Sequence, residues 1–214
     1  KHTQKLIEKE GHAITFASAR GPLNIATFRM GTTEFLMATQ LEPDKIKKLL
    51  DIISDFLVDW IRLQVQIFPT IDGILLLDDI VGFIGEQDFI KFAKPYLQKV
   101  YNCVDVSVKF FHNDAPGLVC APHLGEIGIN LFNFSHDHDI AHMKKLVGDK
   151  VSLLGNIPPR DVLAAGTPDD VKAAARKMLD SLEDKTRIIA SCGGGMPQNV
   201  STENIKAFIE EIQK

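Results

Sequence analysis

The stretch VSVKFFHNDAP, residues 106–116, is a β-branched and aromatic run that stops abruptly at His112, Asn113 and Asp114. An imidazole and a carboxylate two residues apart, just past the end of a buried strand, sit where an α/β enzyme does its chemistry. They can share one metal ion or one substrate. The plainer alternative is a strand-end histidine followed by a helix N-cap at Asp114, ahead of Pro116.

Working outward, the chain alternates strand-like and helix-like segments. Upstream, residues 13–18 (AITFAS) read as a strand, and Arg20-Gly21-Pro22 opens a short helix through Ala26 and Phe28. Pro43 starts a long amphipathic helix to about Phe68, with Ile46, Leu49, Leu50, Ile53, Phe56, Leu57, Trp60 and Ile61 at helical spacing. Ile74 to Leu77 is an apolar strand that ends in Asp78-Asp79, and residues 89–101 are helical. Downstream come a short helix around 118–124, a strand 127–132, a helix 140–146 and a strand 151–154. Thr167 caps a helix with Pro168 at its first position, and a strand 187–190 and a helix 204–212 close the chain.

These are about six βα units, and apolar strands without strict alternation imply a parallel sheet covered by helices. Such a sheet is either open and doubly wound or part of a (β/α)8 TIM barrel. The polar residues separate the two. Arg20 follows the first strand, Asp78 and Asp79 the second, His112 and Asp114 the third, Asn133 the fourth, Asn156 the fifth, and Cys192 with Gly193, Gly194 and Gly195 the sixth. A barrel enzyme draws on every strand end, whereas an open sheet concentrates its ligand groups at one switch point. The expectation is one domain over residues 1–214, the C-terminal two thirds of a barrel, with about two units before Lys1.

Composition bounds the function. The chain has 24 basic and 28 acidic residues, a net charge of -4 without long single-sign runs, so nothing attracts nucleic acid. Three cysteines without CxxC spacing fit a reducing compartment, and Cys103 and Cys120 read as packing residues. No apolar run reaches the roughly 18 residues of a membrane span, so a cytoplasmic location is expected. His136 and His138 in SHDHD read as residues of a polar loop past a strand. The glycine run 193–195 would let a phosphate or a cofactor tail approach the backbone near a helix start.

Six collinear segments carry a family resemblance: ARGPLNIATFRMG, PDKIKKLLDIISDF, DGILLLDD with GEQDFIKFAKPYLQKV, HND, LLGNIPPRDVLAAGTPDDVK, and GGGMP with STENIKAFIEEI. Together they resemble the uroporphyrinogen decarboxylase superfamily. The resemblance implies one of two chemistries on one barrel. The first is methyl transfer between a methylcorrinoid, carried by a partner protein, and a thiol or similar small-molecule acceptor activated by zinc in a His-x-Cys and later Cys site. The second is cofactor-free decarboxylation of uroporphyrinogen, a tetrapyrrole of haem synthesis. A non-catalytic barrel that binds a tetrapyrrole or corrinoid is a further alternative.

On this chain, His112 falls on the histidine of the His-x-Cys pair and Asp114 on its cysteine, while the later cysteine falls on Gly194, two residues after Cys192. The implied zinc ligands are therefore His112, Asp114 and Cys192, with Asp78 or Asp79 positioning the acceptor or taking its proton. Arg20, Asn133, Asn156 and Gly193 to Gly195 would bind substrate or cofactor. Asp78 also matches the aspartate of the family's Asp-Ser-Trp segment, whereas the decarboxylases' Gly-His-Gly is absent. An open barrel is expected to associate with further copies of itself or with the missing N-terminal segment.

Overall fold

The protein is described by a computed structural model over residues 2–115 and 118–214; Pro116, ahead of the short helix expected around 118–124, lies outside them. Six strands, β1 (Phe16–Arg20), β2 (Gly73–Leu77), β3 (Val108–Asn113), β4 (Leu131–Phe134), β5 (Ser152–Ile157) and β6 (Ile188–Cys192), form one sheet. Every neighbouring pair is parallel, and spatial order follows chain order. Right-handed crossovers that always step the same way put the helices on one face. That is the winding of a barrel, since a doubly wound sheet reverses its strand order at a switch point. The chain is a partial TIM barrel.

Helix α1 (His2–Lys9) precedes β1, and α2 (Pro22–Met30), α3 (Thr32–Leu41) and α4 (Pro43–Ile67) lie between β1 and β2. After β2 come α5 (Glu86–Asp88), a π-helical turn Phe89–Ala93 and α6 (Lys94–Tyr101). Then α7 (Leu124–Ile127), α8 (Ile140–Val147), α9 (Pro168–Asp180) and α10 (Thr202–Ile212) follow β3, β4, β5 and β6 in turn. As its sequence implies, α9 is capped: Asp170 N–H donates to Thr167 Oγ1 at 3.2 Å and Thr167 N–H to Asp170 Oδ2 at 2.8 Å.

Between sheet and helices lies the core. Ile74, Leu76, Phe111, Phe132 and Leu153 project from the strands and are buried, and the Phe111 and Phe132 rings stack at 5.8 Å. Ile46, Leu50, Ile53, Leu57 and Ile61 meet them from α4. Each such burial stabilises by about 1.5–3 kcal/mol. The helical spacing on α4 merges two stripes: Phe56 and Trp60 belong with Ile52, Leu63 and Ile67, which are exposed. Trp60 Nε1 donates to Ser18 O at 3.2 Å, and Ser18 N–H donates to Gln64 Oε1 at 3.1 Å, so α4 side chains occupy the backbone of β1.

Several elements differ from expectation: β1 runs from 16 to 20 rather than 13 to 18, and β5 runs to Ile157 rather than stopping at 154, so Arg20 and Asn156 lie within strands. Helix α3 is absent from the sequence reading because Phe35, Leu36, Met37 and Leu41 do not fall on one stripe; Gly31, with φ +91°, separates it from α2. Strand β4 begins at Leu131 rather than 127, because residues 124–127 close a helical turn that ends on Gly128 at φ +97°.

Asp78 ties the first two units together. It is fully buried, and its carboxyl oxygens accept from Leu23 N–H at 2.9 Å and Asn24 N–H at 3.0 Å in the first turn of α2. A Cβ on Gly21 would collide with this carboxyl, so glycine is needed where the two segments touch. Burial outweighs the backbone hydrogen bonds and pushes the Asp78 carboxyl up to about 7. A carboxyl harder to ionise in the folded than in the unfolded chain contributes its stability below the unfolded pKa, and that contribution is lost as pH rises through about 7. Asp78→Asn should therefore flatten the stability profile between about pH 4 and pH 8; denaturant titrations with the same pH slope in both proteins would exclude Asp78 as the titrating group. Asp78→Ala should cost about 1–3 kcal/mol, seen as a lower Tm.

Candidate functional site

Partners in a parallel ladder point to the same side of the sheet, and successive residues alternate. The ladder pairs Leu77 with His112, His112 with Asn133, Asn133 with Leu154 and Leu154 with Ile189. That row lines the concave face at the C-terminal end, opposite the helices. With Arg20, the partner of Leu77 on β1, His112 and Asn133 are its polar members. His112 Nδ1 lies 2.8 Å from Asn133 Oδ1, while Asn133 Nδ2 donates to Leu154 O at 2.6 Å and to Cys192 O at 3.3 Å.

On the other side of the ring, His112 Nε2 is 3.6 Å from Asp114 Oδ2. Asp79 arrives from the 3-10 turn after β2, and its Oδ1 accepts from Asp114 N–H at 3.3 Å. One ligand atom each from Asp79, His112 and Asp114 lies within 4.8 Å of the others. Arg20, at the end of β1, holds Nη1 3.9 Å from Asp79 Oδ2. Burial, then the negative charge of Asp114, raises the Asp79 carboxyl above the ordinary carboxylate range. One imidazole and two carboxylates converging on a point can hold a divalent cation or a shared proton.

The strand-end expectation thus brings Arg20, Asp79, His112, Asp114 and Asn133 together. Cys192 does not join the metal-capable group. Its ladder partner is Ile157, and it lies an odd number of residues from Ile189, which places it on the helix-facing side, with Sγ 3.2 Å from Gly194 O. Gly194 is the residue that approaches the group: a Cβ there would lie 2.7 Å from Asp114 Oδ2. Asp78, adjacent to Asp79 but turned the opposite way, serves α2. Asn156 is buried and ties the loop after β4, donating to His138 O at 2.5 Å and Ser135 O at 3.4 Å. A Cβ on Gly193 would collide with the His136 backbone, so that glycine packs one mouth loop against another.

A pocket of about 460 Å³ opens beside Asp114, lined also by Ser135, His136, Arg160, Gly193 and Gly195. Of the lining residues, the sequence reading assigned His136 only to a polar loop and passed over Arg160. Arg160 lies three residues beyond the end of β5, four residues after Asn156, to which the strand-end rule was already applied.

The family model for uroporphyrinogen decarboxylase (URO-D) matches residues 1–214. The chain belongs to the uroporphyrinogen decarboxylase family. Among its relatives, the uroporphyrinogen decarboxylase of Chloroherpeton thalassium is 26% identical over 224 residues, spanning 99% of this chain and 62% of the relative. That of Chlorobium phaeobacteroides is 25% identical over 226 residues, with the same 99% and 62% coverage. A methyltransferase from Methanosarcina mazei superposes with a TM-score of 0.82 at 20% identity, over 98% of this chain and 61% of that one. This last likeness is one of fold. The chain therefore spans about three fifths of the relatives it matches. Among the described residues, no helix is long and apolar enough to cross a membrane.

Gly194 has φ +95°, a conformation that side chains rarely adopt, and Asp114 stands over it. Gly194→Ala should cost about 1–2 kcal/mol and displace the Asp114 carboxylate; an unchanged Tm would show that the loop relaxes freely.

Proposed function

We propose that this member of the family is a metal-assisted methyltransferase, moving a methyl group between a methylcorrinoid on a partner protein and a thiol or similar acceptor. The observation that carries the reading is the convergence of a His112 ring nitrogen with the Asp79 and Asp114 carboxylates within 4.8 Å, with Nε2 3.6 Å from Asp114 Oδ2. The donor set suits zinc or a harder divalent ion, because imidazole and carboxylate are competent ligands and three protein ligands leave a position for an acceptor. Asp79 replaces sulfur in that set, entering from β2 where the loop after β6 offers only Gly194.

A bound divalent cation would supply Lewis acidity that lowers the acceptor's pKa. The chain's own residues do the rest. Asn133 orients the imidazole, and the ionised form of Asp79 would be favoured by a bound cation, opposing the burial and the Asp114 charge that raise its carboxyl. Arg20 lies across Asp79 at the rim and orients an anionic part of the acceptor. The pocket beside Asp114 seats the acceptor next to the group.

The names of the matched relatives favour a second reading, metal-free decarboxylation of a porphyrinogen, in which Asp79 acts as an acid beside Arg20. Metal content separates the two. Elemental mass spectrometry should find about one equivalent of zinc per chain, lost in Asp79→Asn, His112→Ala and Asp114→Asn. No bound metal in the wild type would remove the metal-assisted reading and leave the decarboxylase reading in its place.

A further inference from the structure

We propose that Asn133 is a positioning residue that selects the Nδ1–H tautomer of His112 and so aims the Nε2 lone pair at Asp79 and Asp114. The tautomer stands on geometry alone; its use in holding a cation rests on the metal-assisted reading above.

Asn133 is buried, 3% exposed, and its amide has two N–H donors and one carbonyl acceptor. Both donors are used. Nδ2 sits 2.6 Å from Leu154 O and 3.3 Å from Cys192 O, two backbone carbonyls of neighbouring strands. Turning the amide over would set its oxygen against those two carbonyl oxygens, acceptor facing acceptor in a buried place, and that repulsion fixes the orientation. The oxygen is therefore the atom 2.8 Å from His112 Nδ1, and it can only accept. Nδ1 must carry the hydrogen.

The competing arrangement puts the hydrogen on Nε2, pointing to Asp114. That contact is 3.6 Å, beyond hydrogen-bond length, so the Asn133 bond decides the tautomer. In water a free histidine side chain prefers the hydrogen on Nε2, so the observed setting is one the fold imposes. A ligating histidine needs this arrangement, with one nitrogen anchored and the other bare.

The test is a long-range proton–nitrogen correlation spectrum of metal-free, histidine-labelled protein at about pH 9, where imidazoles are neutral. His112→Gln assigns the signal among the 7 histidines. The wild type should show a protonated Nδ1 and a bare Nε2. Asn133→Leu should shift the ring toward Nε2–H and weaken zinc binding about 10–100-fold by calorimetry. Asn133→Asp keeps an acceptor at Nδ1 and should retain the wild-type pattern, although it loses both ties to the carbonyls. That contrast separates positioning from mere support of the sheet.

A wild-type ring with Nε2–H overturns the proposal, whether or not Asn133→Leu folds, and so does an Nδ1–H ring that survives in Asn133→Leu. The expected tautomers without zinc binding would uphold it while removing the metal-assisted reading.

Discussion

Everything at the mouth depends on one register: the row in which Leu77, His112, Asn133, Leu154 and Ile189 stand side by side on the concave face. Side chains alternate along a strand, so a slip of one residue between β3 and β4 would turn His112 away from Asn133 or bury it among the phenylalanines of the core. The hydrophobic pattern holds the row in place from behind. Phe111, Phe132 and Leu153, one step earlier on each strand, can be buried only if their successors face the interior. The polar site is thus positioned by the apolar residues beside it.

The same alternation explains why two adjacent carboxylates differ so sharply. Asp78 and Asp79 share a neighbourhood in sequence, yet one is sealed against α2 and the other meets His112, Asp114 and Arg20. Asp78 is an architectural acid that fixes where the β1 loop begins. Asp79 is then delivered by a short turn whose first residue is already anchored. Neither carboxyl has to search for its place.

Much of this was legible in the sequence. Apolar strands of similar length, each closed by a polar residue, announced a barrel and named the residues that meet at its rim. The pair His112 and Asp114 stood out because an imidazole and a carboxylate two residues apart at one strand end can share a cation or a substrate. Other features were hidden for identifiable reasons. The two stripes of α4 overlap in spacing, and only the neighbouring elements decide which is covered. The turn that delays β4 depends on a left-handed glycine, which spacing does not reveal. Cys192 resembled a ligand by chemistry and by distance along the chain, but whether its side chain faces the mouth depends on the parity of β6, set by Ile189 and its ladder partner Leu154. Between Asp78 and Asp79, sequence offered two carboxylates and no means of choosing.

Gly21 and Asp78 lie far apart in the chain but occupy almost the same space, the missing side chain of one making room for the carboxyl of the other. The two positions are therefore coupled. A side chain gained at position 21 is harmful while Asp78 is present, and a smaller residue at position 78 removes the reason for the glycine while leaving the start of α2 without acceptors. Substitutions at the two sites should be strongly non-additive.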